Sequence, residues 1–173
     1  MHRLLLTARS YHAEGYSAEN FDIVDQLLAE YRSHNHANHD SLARPFEGAE
    51  EVLVELRRRG YLIAVVTSKG RELGLRGLRL CALDRLIDSA VFLEDTDVHK
   101  PHPEPILAAL QRLNSPANVA AYVGDSRHDM VAARAAGVRT VAALWGPAPR
   151  IELEREQPDY SAESVKDLLA IFN

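Results

Sequence analysis

The 173-residue sequence predicts an α/β protein built on a parallel sheet with helices on both faces. Three observations carry that reading. Short apolar runs without polar alternation, 61–66, 90–93, 119–123 and 138–144, fit strands covered on both faces, the pattern of parallel sheets. Helical stretches separate these runs from Gly48 onward, as parallel crossovers require. Small or polar residues follow the runs, at the strand ends where open α/β sheets place their ligands.

Composition narrows the class. The hydrophobic share of 46% supports a real core in a chain long enough for one domain, or one domain and a small appendage. Lysine and arginine number 20 against 25 aspartate and glutamate, a net charge of −5, and no basic block suggests a nucleic-acid partner. No stretch reaches transmembrane length, and the apolar run Leu4 to Leu6 is too short for the apolar region of a signal peptide. The single cysteine, Cys81, leaves no internal disulfide framework and fits a reducing cytoplasm; it is expected to be a core thiol.

In chain order, Ser17 is placed to cap a helix running to about Asp40, with Phe21, Val24, Leu27, Leu28 and Tyr31 on one face. The histidines of His34-Asn35-His36-Ala37-Asn38-His39-Asp40 invite a metal reading, but on a helix only His36 and His39 lie near each other, so a solvated helix end is expected. Residues 1–43 form a helical appendage and 44–173 the sheet. Val52, Leu53 and Leu56 mark a helix stopped by Gly60, whose Arg57-Arg58-Arg59 run complements the helix dipole.

The clearest strand, Tyr61 to Val66, ends in Thr67-Ser68-Lys69-Gly70. A small hydroxyl there, followed by backbone amides turning into a helix, suits phosphate oxygens; an ordinary N-cap is the alternative. A helix around 73–83 and a strand at 90–93 precede Glu94-Asp95-Thr96-Asp97. This Asp-x-Asp is not read as a nucleophile pair, because the acidic run continues into His99-Lys100-Pro101-His102-Pro103-Glu104-Pro105, whose prolines define a rigid loop and helix start. Lys100 is then either a fixed point charge able to balance a phosphoryl group and clustered carboxylates, or an exposed surface lysine.

Ile106, Leu107, Leu110 and Leu113 form the next helical face, ended by Asn114-Ser115-Pro116. After the run 119–123, Gly124 marks the turn out of the sheet and Asp125 stands at the strand end. Asp129 follows at helical spacing, so that two carboxylates converge where a hard cation such as magnesium would suit them. The alternative is that Asp125 is only an N-cap and Asp129 only solvated surface. Val131 to Ala136 is helical with Gly137 as its cap, Trp145-Gly146-Pro147 closes the following strand, and Ser161 is expected to cap a final helix through Val165, Leu168, Leu169 and Ile171. A hydroxyl, an ammonium and a cation-binding carboxylate at one rim specify phosphoryl chemistry better than any other reaction class.

The arrangement resembles the haloacid dehalogenase-like hydrolases, in particular the phosphoglycolate phosphatase and pyrophosphatase-like branch. Thr67, with Ser68 and Lys69 beside it, looks like the phosphate-binding hydroxyl of the second family motif. Lys100 in Lys100-Pro101-His102-Pro103 looks like the lysine of the third, and Gly124-Asp125-Ser126-Arg127-His128-Asp129 is similar to the fourth. The resemblance implies a Rossmann-like three-layer core over 44–173, a partial helical cap over 1–43, a small phosphorylated substrate, and Mg2+ held by Asp125 with Asp129 and Gly124 in support. It implies hydrolysis of a phosphate monoester such as phosphoglycolate, or of pyrophosphate, through an aspartyl-phosphate. The sequence departs from the family in one respect, since no Asp-x-Asp-Gly-Thr, the family's nucleophile motif, occurs in it. The expectation is therefore a chain that begins inside the cap, lacks the strand between those ending at Thr67 and Asp125, and has open sheet edges through which it could oligomerise. A non-catalytic module that binds phosphate or a partner chain is the alternative.

Overall fold

In the computed structural model the chain divides into two units, residues 1–43 and 44–173. The residues described are 44–173 together with Gln26, Glu30 and Asp40, which are helical and exposed. The expected helix from Ser17 and its histidine-rich end otherwise lie outside the described residues.

Residues 44–173 alternate helix and strand. Helix α1 (Ala49–Arg58) is followed by β1 (Ala64–Val66), α2 (Arg71–Leu80), β2 (Ser89–Val91), α3 (Glu104–Arg112) and β3 (Ala121–Gly124). Then come α4 (Arg127–Ala136), β4 (Arg139–Ala143), α5 (Arg150–Glu154), β5 (Tyr160–Ala162) and α6 (Leu168–Ile171). Every pairing is parallel, in agreement with the expected α/β class: β1 with β2, and β3 with β4 and β4 with β5. The strands group as two sheets, β1-β2 and β3-β4-β5. Among the described residues nothing pairs with the second edge of β1 or of β3.

Helices cover both faces. On one side Val52 and Leu56 of α1 and Leu168 of α6 pack with Val141 of β4; on the other Ile106 of α3 packs with Ala132, Ala133 and Ala136 of α4. Burial follows pairing. In β4, flanked on both sides, four of five residues are buried, whereas all three residues of β1 and three of four in β3 are half-buried despite their apolar sequences. The expectation that every strand is sealed on both faces therefore holds for β4 and not for the strands that, among the described residues, are paired on one side only.

The boundaries differ from the sequence reading for local reasons. Val119, expected inside a buried strand, lies in a single 3-10 turn over Ala117–Val119 and is 60% exposed. Ser161, expected to cap the last helix, lies in β5; the turn before α6 is instead closed by Ser164 and Asp167, with the Ser164 amide donating to Asp167 Oδ2 at 2.9 Å. Entry to β5 is pinned by Asp159, whose Oδ2 accepts from both the amide (2.7 Å) and the hydroxyl (2.8 Å) of buried Thr140. Cys81 is half-buried, at the end of α2 and not in the core. The arginine run at the end of α1 does more than face a dipole. Arg57 pairs with Asp88, and Arg59 donates to the carbonyl oxygens of Leu169 (2.7 Å) and Phe172 (2.8 Å), which ties α1 to the C-terminus.

The Asp95 carboxylate, set aside above as a nucleophile, is locked into the scaffold. It accepts from the guanidinium of Arg112 at 2.9 Å and from the Phe92 amide at 2.8 Å, pairs with Arg71, and is held down to about 2, Arg112 being the largest cause.

Two substitutions test this packing. In α2, an ideal Cβ on Gly74 would stand 2.5 Å from Cε1 of Phe92, whose side chain is buried. Helix propensity alone favours Gly74→Ala by about 1 kcal/mol, but overpacking against a fixed ring costs about 1–3 kcal/mol. The variant is expected to unfold at lower urea concentration than the parent. Leu153→Ala empties a fully buried position and is expected to cost about 2–5 kcal/mol in the same titration.

Candidate active site

Thr67, Lys100 and Asp125 all lie beyond strand ends or in the loops that follow. Thr67 comes directly after β1, and its amide donates to the Val91 carbonyl at 2.9 Å, which carries the β1-β2 pairing one residue further. Its Oγ1 accepts from the Lys69 amide at 3.1 Å, so the hydroxyl braces its own loop and its proton remains available to a neighbour. It is not an N-cap; α2 is capped at Gly70, and the Arg71 amide donates to the carboxylate of Glu94 at 2.9 and 3.1 Å. Ser68 is half-buried and Lys69 exposed.

Lys100 is not a surface lysine: its side chain is 13% exposed. Its ammonium donates to Asp129 Oδ1 at 2.7 Å, to Tyr122 Oη at 3.0 Å and to the Val66 carbonyl at 3.4 Å. Three acceptors for three protons make a saturated cation. Val66 belongs to β1, Tyr122 to β3 and Asp129 to α4, so one side chain joins both sheets and a helix. The Tyr122 hydroxyl also lies 3.3 Å from both the Val66 carbonyl and Asp129 Oδ1.

Asp129 is buried, in contrast to the solvated-surface alternative. Its second oxygen accepts from Ser126 Oγ at 2.7 Å, while the Asp129 amide donates to that same Oγ at 3.2 Å, which makes Ser126, and not Asp125, the N-cap of α4. Asp129 is turned inward onto Lys100, and Asp125 is half-buried, beside Gly146. Two glycines make room for them: a Cβ on Gly124 would lie 2.3 Å from the Asp129 Cβ, and one on Gly146 would lie 2.3 Å from the Asp125 Cβ. Phe46 meets Trp145, the neighbour of Gly146, edge-on at 6.4 Å.

Burial acts to lower the Lys100 pKa, but Tyr122 and Asp129 beside it leave it raised overall. Burial acts to raise the Asp129 pKa, but the Lys100 charge and the bonds from Lys100, Ser126 and Tyr122 hold it below its ordinary value. Tyr122 is pushed up to about 12, chiefly by burial. Sequence reasoning missed Tyr122, which it counted as an apolar strand residue. The available signal was its phenol, because a hydroxyl in a covered strand needs a partner.

Among the described residues no cluster of three or more histidine, cysteine, aspartate or glutamate side chains could hold a metal. Magnesium does not require one. It keeps several waters and is commonly bound by one or two carboxylates together with substrate phosphates, a donor set that Asp125 fits as the single protein carboxylate.

A parallel α/β core thus carries a buried lysine-aspartate pair, with a threonine hydroxyl just past the end of β1. The sequence profile of the haloacid dehalogenase-like hydrolases matches residues 8–143, and the chain belongs to that family. It is 46% identical over 157 residues to a protein of Caldanaerobacter subterraneus named as a putative pyrophosphatase PpaX, covering 91% of this chain and 70% of that one. With pyrophosphatase PpaX of Bacillus thuringiensis it shares 39% over 150 residues, 87% of this chain and 69% of the relative. Among solved structures, a HAD-superfamily hydrolase of Geobacter sulfurreducens is 30% identical with a TM-score of 0.62, covering 74% of this chain and 56% of its own. A hydrolase of Pseudomonas syringae is 26% identical with a TM-score of 0.77, covering 96% and 74%. Among the described residues no helix is long and apolar enough to cross a membrane.

The ion pair yields a prediction with a definite sign. The Asp129 carboxyl is lowered from 3.8, so its contribution is full above about pH 4 and disappears as the pH falls through the lowered value. The Lys100 ammonium is raised from 10.5, so its contribution is full below that pH and disappears as the pH climbs through the raised value. Lys100→Met strands a buried carboxylate and is expected to cost about 3–5 kcal/mol near neutrality. The Asp129 pKa then rises above its unfolded value, so the variant regains stability as the pH falls from that raised value toward about 4, a range in which the parent's ion pair is still intact; unfolding midpoints taken from pH 3 to 8 would show the difference in slope.

Proposed function

We propose that this rim binds a small phosphorylated substrate, a phosphate monoester or pyrophosphate, together with magnesium at Asp125, in a cytoplasmic phosphatase of the aspartyl-phosphate type. The observation that carries the reading is the saturated Lys100 ammonium, buried against Asp129 and Tyr122 beside Thr67. In this reading Thr67 donates its free hydroxyl proton to a phosphoryl oxygen, with Ser68 beside it. Lys100 exchanges its longest contact, that to the Val66 carbonyl, for a second phosphoryl oxygen. Asp129 orients Lys100, and Gly124 makes the space that lets it do so. Magnesium bound by Asp125 would neutralise charge on the phosphoryl group. The pyrophosphatase relatives favour pyrophosphate as the first substrate to test.

None of these side chains is given the role of nucleophile in this reading, and Asp95, with its two arginines, has no freedom to take it. The attacking carboxylate is assigned to an Asp-x-Asp-Gly-Thr segment that this sequence does not contain, and the edges of β1 and β3 that are unpaired among the described residues favour a further strand between them. Those same edges favour a second reading, a module that binds phosphate without turnover and pairs its edges with another chain.

Calorimetric titration of this chain with inorganic phosphate distinguishes the possibilities. Phosphate is expected to bind in the presence of Mg2+, at least tenfold more weakly after Asp125→Asn, and with a smaller loss after Thr67→Val. Phosphate binding that ignores both Mg2+ and Asp125→Asn would contradict the reading. This chain by itself is expected to release no phosphate from pyrophosphate or phosphoglycolate, and turnover at this length would overturn the assignment of the nucleophile to another segment.

A further inference from the structure

Gly146 stands three residues past the end of β4, in the turn that its amide closes by donating to the Ala143 carbonyl at 3.2 Å. Its φ lies outside the left-handed region, so the turn makes no demand for glycine. Its surroundings do. A Cβ built on Gly146 would fall 2.3 Å from the Asp125 Cβ and 3.0 Å from both its Cγ and its Oδ2. The 2.3 Å contact is with the atom next to the backbone, so turning the Asp125 side chain cannot relieve it. Sliding the strands cannot either, because β3 and β4 are paired in register up to Gly124 with Ala142, immediately before Asp125.

We propose that Gly146 is the positioning residue for Asp125: its missing side chain lets the turn after β4 close against the Asp125 carboxylate and fix where that carboxylate stands. This rests on the reading of Asp125 as the magnesium carboxylate, and it adds a residue from the turn after the neighbouring strand to that site. The contact is steric, so any side chain at position 146 forces β3 and the β4 turn apart and carries Asp125 away from the rim shared with Thr67 and Lys100. The turn is tied back to its own sheet, the Leu144 amide donating to the Ala162 carbonyl at 2.9 Å, so it does not swing clear and the Asp125 carboxylate is the group displaced.

The test pairs two measurements on the full chain. In a magnesium titration with Mg2+ alone, Gly146→Ala is expected to weaken binding at least tenfold while the protein remains folded. In thermal unfolding, Gly146→Ala is compared in the parent and in an Asp125→Gly background, where the Cβ it strikes is gone. The expected result is a lowered midpoint in the parent and little or no change in the Asp125→Gly background. Should Gly146→Ala fail to fold in the parent yet fold in the Asp125→Gly background, the proposal is supported by that rescue. An equal loss in both backgrounds, or failure to fold in both, overturns it, as does a folded Gly146→Ala protein with unchanged Mg2+ affinity. If the parent binds no Mg2+, the reading of Asp125 as a metal carboxylate fails, and the rescue experiment still decides whether Gly146 positions Asp125.

Discussion

The described fold depends on one buried ion pair. Lys100 and Asp129 come from the loop before α3 and the first turn of α4, and their 2.7 Å contact occurs with side-chain exposures of 13% and 7%. A pair so enclosed is seldom a net source of stability, since the cost of stripping two charges of water is comparable to their attraction. Here every remaining valence is used: the ammonium reaches Tyr122 and Val66, and the second carboxylate oxygen takes the Ser126 hydroxyl. The result is a fixed polar centre between two sheets whose strands, among the described residues, do not pair with each other. Tyr122 and Lys100 both reach the Val66 carbonyl, so this cluster supplies the polar link across the gap between β1 and β3.

The same centre explains why the family's chemistry can sit here. Phosphoryl transfer asks the protein for positioning and for fixed charge more than for covalent work. A lysine already desolvated and held by a carboxylate needs little reorganisation when an anion arrives. Thr67, adjacent to the carbonyl that Lys100 touches, keeps its hydroxyl proton in reserve because its oxygen is engaged by the Lys69 amide. On the other side, Gly124 and Gly146 let two acidic side chains crowd against the sheet ends where any Cβ would exclude them.

Much of this was legible in the sequence, and the exceptions have physical causes. Parallel strands carry their burial in uninterrupted apolar runs, so β1, β2, β3 and β4 were visible within a few residues. By contrast β5, Tyr160-Ser161-Ala162, is short and mixed in polarity and takes its place from β4 and from the Asp159 to Thr140 bonds, which no local pattern encodes. Val119 is apolar yet exposed because it precedes the strand in a turn. At the site, the spacing of Asp125 and Asp129 gave their proximity in sequence but not their direction. The Ser126 hydroxyl and the Lys100 charge hold Asp129 inward, a direction that only the three-dimensional arrangement gives. Tyr122 was hidden by its neighbours, because its apolar ring suited the strand and its hydroxyl revealed a partner only once Lys100 was placed.

The most direct measurement is a crystal structure of this chain grown with Mg2+ and tungstate, a phosphate-like anion dense enough to locate without ambiguity. The account predicts the anion between the Thr67 hydroxyl and the Lys100 ammonium, with the cation on Asp125 and bridged to it, and Lys100 withdrawn from the Val66 carbonyl. An anion bound elsewhere, with Lys100 still holding all three of its present partners, would contradict it.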